Sequence, residues 1–151
     1  MSNGPRVIFL RFASADSPKL GPWKEHGRMV VGLPLPAASD SAVIWHLSSA
    51  NNRMLARSAR VYREVAEAAA SLRSSVESFG SWTISLVSDE AHGHYGWYAS
   101  SEGEPVMICA RWYTTERDRR QALDLALDSI VVAEVQTGAR LVGATARRHR
   151  A

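Results

Sequence analysis

The side chains of this sequence best suited to chemistry are two histidines and one cysteine. His92 and His94 stand two apart in the segment His92-Gly93-His94-Tyr95. On an extended strand, residues two apart point to one face, so the pair would offer two imidazoles to one metal ion. A metal site needs one or two further ligands. Cys109, His46 and Asp89 are the candidates, and no spacing in the sequence brings them to the pair. The plainer reading is a polar turn at the mouth of a hairpin, and on it no metal or other cofactor is expected.

Cys109 is the only cysteine. A nucleophilic thiol needs a histidine beside it and a third group orienting that histidine. Cys109 instead lies among Met107, Ile108 and Ala110, a strand-like run in which a free cysteine is usually a small core residue. Asp124 and Asp128, spaced i, i+4, read as the wet face of a helix. The Ser-Ser pairs at Ser48 and Ser100 have no base placed near them, and neither a glycine-rich phosphate loop nor its lysine is present. No catalytic residue is assigned, and the chain is read as a non-enzyme.

Two features point to binding instead. Trp23 lies beside Lys24 and His26 in a stretch punctuated by Pro18, Gly21 and Pro22. A tryptophan on an exposed loop would anchor a protein partner, so Trp23, Lys24 and His26 are the candidate partner-binding residues. The alternative is that Trp23 folds back to plug the core. The second feature is basic. Arg117, Arg119 and Arg120 open a helical segment, the unfavourable end for positive charge, and Arg147, Arg148 and Arg150 crowd the last five positions. Arg117, Arg120 and the three terminal arginines could meet phosphates without reading bases. The bland reading is a solvated helix face and a solubilising tail.

Charge separates these ideas. Lys plus Arg number 18 and Asp plus Glu 15. Setting aside Arg147, Arg148 and Arg150 leaves 15 cations against 15 anions, so the pI near 9.4 belongs to the tail and not to the body. Only two of the cations are lysines, and alanine is abundant, a hint of a GC-rich bacterial genome. One cysteine permits no intramolecular disulfide, which suits a reducing compartment. The apolar run Val7 to Leu10 is too brief for a secretory signal, and no stretch approaches the roughly 20 apolar residues of a membrane helix. A cytoplasmic location is expected, with the protein a monomer or a homodimer.

The elements that must hold these residues recur. The frame from Trp45 to Tyr62 and the frame from Trp97 to Tyr113 align with one residue deleted. Trp45 then matches Trp97, Ser48-Ser49 matches Ser100-Ser101, Ala59-Arg60 matches Ala110-Arg111, and Tyr62 matches Tyr113. Each frame predicts a hairpin: Ala42 to Leu47 returning as Arg53 to Arg57, and His94 to Ala99 returning as Val106 to Cys109. Ala50-Asn51-Asn52 and Glu102-Gly103 would make the turns. A helix follows each frame. Val65, Ala69, Leu72 and Val76 have helical spacing. Thr115 with Asp118 resembles an N-cap, ahead of a stripe of Leu123, Leu127, Ile130 and Val131. Gly138 is read as a helix stop. A strand closes each unit, Trp82 to Val87 and Arg140 to Gly143. In front, Val7 to Phe12 and Met29 to Leu33 read as strands, Ser14 to Gly27 as an exposed loop and Pro34 to Ser41 as a connector.

At this repeat the sequence resembles the YegP-like family of small bacterial proteins. The residues carrying the resemblance are Trp45, Ala50-Asn51-Asn52, Ala56, Ser58 and Tyr62 with the helix after it. Asn52 stands where the family has glycine. In the second copy Trp97 and Tyr113 match, Glu102-Gly103 replaces the Asn-Gly turn, and Cys109 stands where serine is usual. The resemblance covers roughly Ala42 to Glu134. It implies tandem β-rich units, each with one helix, merging into one sheet, and it implies no catalytic activity. Single-unit members can pair, so a tandem chain would act as its own dimer.

The expectation is therefore an α+β protein: two tandem repeats, about 1–87 and 82–146, sharing a single antiparallel sheet with the helices on one face. Residues 1–146 form one domain and 147–151 a basic tail. The expected function is a binding or adaptor module acting through protein–protein contacts at a sheet edge or loop. The alternative is a nucleic-acid-binding accessory protein that uses the tail.

Overall fold

The computed structural model describes residues 4–14, 17–32 and 41–142. In chain order they form β1 (Arg6–Phe12), a single 3-10 turn (Pro18–Leu20), α1 (Gly21–Val31), β2 (Ala42–Ser48), β3 (Met54–Ser58), α2 (Val65–Glu77), a second 3-10 turn (Phe79–Ser81), β4 (Thr83–Asp89), β5 (His94–Ser101), β6 (Glu104–Cys109), α3 (Glu116–Ile130) and β7 (Glu134–Val142). The class is α+β. All seven strands join one sheet in the order β4-β5-β6-β3-β2-β1-β7.

The two predicted hairpins form with the predicted chemistry. Asn52 turns the first at φ 68°, and Glu102 and Gly103 turn the second at φ 53° and 83°. Two successive positive φ angles match the right-handed twist of the flanking strands. Past each hairpin the same backbone bridge recurs. Val43 and Tyr62 exchange N–H···O bonds of 2.7 and 2.8 Å, and Tyr95 and Tyr113 exchange bonds of 2.9 and 2.8 Å. Inside each hairpin the aligned tryptophan donates its backbone N–H to the aligned side chain opposite. Trp45 donates to Ser58 Oγ at 3.2 Å and Trp97 to Cys109 Sγ at 3.4 Å.

Alternation along β2 divides the interior in two. Val43, Trp45 and Leu47 pack with Ala68 and Leu72 of α2 and with Leu123, Ala126 and Ile130 of α3. Ala42 and Ile44 point the other way and pack with Phe12, Leu20 and Trp23. The helices thus cover both faces, not the single face expected. Both faces of β2 are buried, which is why its sequence reads as a nearly unbroken apolar run.

The third helix is the main correction to the sequence reading. The loop expected from Ser14 to Gly27 and the strand from Met29 give way to a 3-10 turn and α1. Pro18 and Pro22 sit in the first turn of each element, where a missing N–H is harmless. Gly32 closes α1 in the left-handed conformation at φ 76°, its N–H bonded to the Arg28 carbonyl at 2.9 Å. Met29, Val30 and Val31 are therefore the last turn of a helix. Leu33 lies outside the described residues, as does the connector up to Asp40.

Two further differences lie at the other end. The sheet is mixed. β1 inserts between β2 and β7, pairing antiparallel with the first and parallel with the second, while the other four strand pairs are antiparallel. Gly138 does not stop a helix, because α3 ends at Ile130. Gly138 lies inside the nine-residue β7 at φ 76°, where the register with β1 slips between Val7↔Val135 and Phe9↔Ala139. Glycine meets the bulge's demand for positive φ. Val131 falls past the helix end and is exposed, leaving Leu123 and Ile130 as the buried stripe. No helix among the described residues is long and apolar enough to cross a membrane.

Candidate functional site

α1 brings together two groups that lie 83 positions apart in sequence. His26 Nε2 stands 2.9 Å from the backbone carbonyl of Cys109 and 3.6 Å from its Sγ. A carbonyl only accepts, so Nε2 carries the proton and offers the thiol no lone pair. Burial pushes the thiol up to about 11, against smaller opposing effects from the Trp97 N–H and Arg57. Burial, and then Arg57, lowers the His26 imidazole. Both shifts favour the neutral pair over thiolate and imidazolium. The arrangement holds a protonated thiol under a helix, the reverse of an activated nucleophile.

Arg57 governs this interior. It donates Nη2 to the Ala110 carbonyl and faces His46 across the β2–β3 ladder, where the two are register partners with Arg57 opposite Ile108 on its other side. Burial first, then Arg57, takes His46 down to about 4. Burial also lowers Arg57 itself, with Cys109 and Tyr113 acting the other way. Its Nε is buried with no acceptor among the described residues.

An aromatic chain runs outward from His26. Trp112 meets the His26 ring edge-on at 6.0 Å, stacks on His94 at 5.4 Å and 17°, and His94 stacks on His92 at 5.9 Å. A side chain at Gly96 would collide with Trp112, since a Cβ there would lie 2.9 Å from its ring. Asp89 Oδ2 accepts from His92 Nδ1 at 2.8 Å, and this bond is what chiefly lowers the Asp89 carboxyl. The histidine pair thus belongs to a stacked β4–β5 turn. Among the described residues no three metal-ligating side chains converge.

The remaining candidates separate. Trp23 is 8% exposed and closes the second interior cluster with Leu20 and Ile44, which is the core-plugging alternative and not an exposed loop. Lys24 lies on the half-exposed side of α1. Arg117 and Arg120 are exposed. Arg119 between them is buried: its Nη1 donates to the Val87 carbonyl at 3.1 Å and Ser88 Oγ at 2.9 Å, and its guanidinium lies 5.3 Å over the Tyr95 ring. That arginine ties α3 to the end of β4. Thr115 caps α3 by accepting the Asp118 N–H at 3.0 Å. Asp124 and Asp128 are exposed. Arg147, Arg148 and Arg150 lie outside the described residues.

The sheet's two outer strands differ sharply. β4 (Thr-Ile-Ser-Leu-Val-Ser-Asp) pairs with β5 without a register break from Thr83↔Ser100 to Asp89↔His94. It carries no proline, no bulge and no charge before its last residue, and Leu86 is 52% exposed. β7 carries the Gly138 bulge together with Glu134 and Arg140. Bulges and charges are the usual devices that blunt an edge against pairing, and β4 has neither until Asp89.

No family model matches the chain, and no curated protein matches it. Among solved structures it is similar to the solution NMR structure of YegP, a protein of unknown function from E. coli. The TM-score is 0.53 at 12% identity, covering 91% of this chain and 96% of that one. The α+β class with one shared sheet, which the sequence resemblance implied, is thus the class found. At that identity the likeness is one of fold alone.

Proposed function

We propose that the chain is a non-enzymatic adaptor that receives an extended segment of a protein partner along the free edge of β4. The observation that carries this reading is the contrast between the two outer strands. A regular, proline-free edge uncharged up to Asp89 presents a row of N–H and C=O groups that no bulge or strand among the described residues covers, and strand addition uses such a row. Affinity comes from main-chain hydrogen bonds, and Leu86 supplies the side chain that a partner pocket or apolar residue would cover.

The rest of the molecule supports a rigid platform. Arg119 and the stacked Asp89-His92-His94-Trp112 group brace the far end of β4, and α1 locks β6 from the opposite face. The corresponding hairpins, bridges and helices of the two halves fit two diverged copies of one unit. The protonated Cys109 and the neutral His26 suit structure better than catalysis.

The nucleic-acid reading rests on the tail arginines Arg147, Arg148 and Arg150, which lie outside the described residues, and on Arg117 and Arg120, which are exposed and make no ion pair among the described residues. Glu116 and Asp118 in the same turn offset them, and Arg119 is turned inward.

Affinity capture on the immobilised full chain, with and without nuclease, separates the two. Leu86→Lys on β4 is compared with Leu141→Lys on β7, a residue 54% exposed at the opposite edge. The adaptor reading expects a nuclease-resistant protein partner that is lost with Leu86→Lys and kept with Leu141→Lys. Recovery that vanishes with nuclease would favour the nucleic-acid reading. A partner indifferent to Leu86→Lys would reject the β4 edge.

A further inference from the structure

The second half of the molecule holds a cleft that the first half keeps shut. Around Tyr62, the side chains of Trp45, Ser71, Leu72, Ser75 and Trp82 close together with no volume open to a water molecule. Tyr62 Oη and Ser71 Oγ bond at 2.9 Å, and the Trp82 indole N–H donates to the Ser75 carbonyl at 2.8 Å. At the offset that separates Tyr62 from Tyr113, Ser71 is replaced by Ala122 and Ser74 by Leu125. The tyrosine's helix hydroxyl is gone. Between β3, the end of β6 and α3 there is instead an open cleft of about 630 Å³. That lies within the usual size of small-molecule sites.

Its lining is divided by chemistry. Leu55, Ala110 and Ala122 give a buried or half-buried apolar lining, and Leu125, Arg53 and Arg111 are its exposed members. The Arg111 guanidinium lies 5.6 Å over the Tyr113 ring. Burial, and then Cys109, pushes the Tyr113 phenol up and keeps it neutral, while Arg111 and Arg53 act more weakly the other way. Neither arginine makes an ion pair among the described residues, where the arginine–carboxylate pairs are Arg28–Glu25, Arg60–Glu104 and Arg119–Glu116. Asp118 is the one acidic side chain in the lining.

We infer that this cleft binds a small amphipathic monocarboxylate, with its apolar body on Leu55, Ala122 and Leu125 and its carboxylate on Arg53 and Arg111 beside Tyr113. Two guanidinium groups recognise one carboxylate with charge-assisted hydrogen bonds. An apolar lining with a few converging polar groups is the usual make-up of such a site. The site lies away from the β4 edge and does not depend on it.

The test is an NMR titration of the labelled full chain with octanoate, with octan-1-ol as the uncharged control and Arg53→Gln/Arg111→Gln as the variant. Both arginines are exposed, so the variant should keep the wild-type fold. Octanoate should give saturable shifts at Tyr113, Ala122 and Leu125. Octan-1-ol on the wild type, and octanoate on the variant, should each bind at least about tenfold more weakly, the ratio set by loss of one charge-assisted hydrogen bond. The inference is overturned if octanoate gives no saturable shift at millimolar concentration, if its shifts map elsewhere, or if alcohol and variant bind as well as acid and wild type.

Discussion

His26 on α1 and Cys109 at the end of β6 are joined by a 2.9 Å contact from the imidazole Nε2 to the backbone carbonyl, with the thiol 3.6 Å from the same nitrogen. The contact pins the helix of one face to the centre of the sheet and leaves the thiol without a base. Replacing His26 by alanine orphans a buried carbonyl, a loss of about 1–3 kcal/mol. Urea unfolding should record it. Cys109 in the wild-type protein should resist a thiol reagent near pH 8 and react only on unfolding. Rapid reaction of the folded wild type would contradict the inert thiol.

Trp23 makes a second test of α1. Its indole N–H is buried without a partner among the described residues, so the ring contributes by packing alone. Trp23→Phe should be close to neutral, while Trp23→Ala should lose about 3–5 kcal/mol, the usual consequence of emptying an aromatic site. Equal losses in both variants would mean that the indole N–H has a partner.

The pH dependence should carry the mark of His46. The folded protein holds this imidazole neutral down to about pH 4, whereas in the unfolded chain it takes its proton near 6.5. Between those values the unfolded state binds more protons, so stability falls as pH drops. The contribution is present in full above about pH 6.5 and gone below 4, on the order of 3 kcal/mol across the window. His26 is shifted the same way and adds to the slope. Denaturant midpoints at several pH values should show the decline, and His46→Gln should flatten it.

Glu102 occupies the left-handed region at φ 53° ahead of Gly103. The same turn with asparagine, Glu102→Asn, should gain about 0.5–1 kcal/mol, because asparagine tolerates that conformation and glutamate does not. A thermal melt reads it directly, and a lower midpoint would contradict the turn geometry.

Both hairpins are legible in the sequence because their strands are short, aromatic or β-branched, and bounded by Asn51-Asn52 and Glu102-Gly103. α2 and α3 are legible from their apolar spacing and, for α3, from the Thr115 cap. α1 is hidden because Pro18, Gly21 and Pro22 are also loop residues, and its final turn, Met29-Val30-Val31, has strand composition. Only the positions of the prolines at the start and Gly32 at the end distinguish it. Because α1 is hidden, so is its partnership with Cys109, and Trp23 looks exposed. Arg119 reads as one of three surface arginines because nothing local marks the Val87 carbonyl, Ser88 and Tyr95 as its partners. That β4 ends the sheet depends on β3 pairing with β6, and that β7 ends the other side depends on β1 entering between β2 and β7, long-range pairings that no local pattern announces.

The central claim is that β4 is the docking edge, and hydrogen exchange along β4 tests it most directly. The full chain is compared alone and saturated with the nuclease-resistant partner recovered by capture. On an outer strand, alternate N–H groups face solvent, so in the free chain every second amide from Thr83 to Asp89 should exchange quickly and the rest slowly. Strand addition should slow the fast set, giving protection with a period of two confined to β4. Protection that leaves the fast set of β4 unchanged and falls on α3, or on β7 at the other edge, would contradict the account.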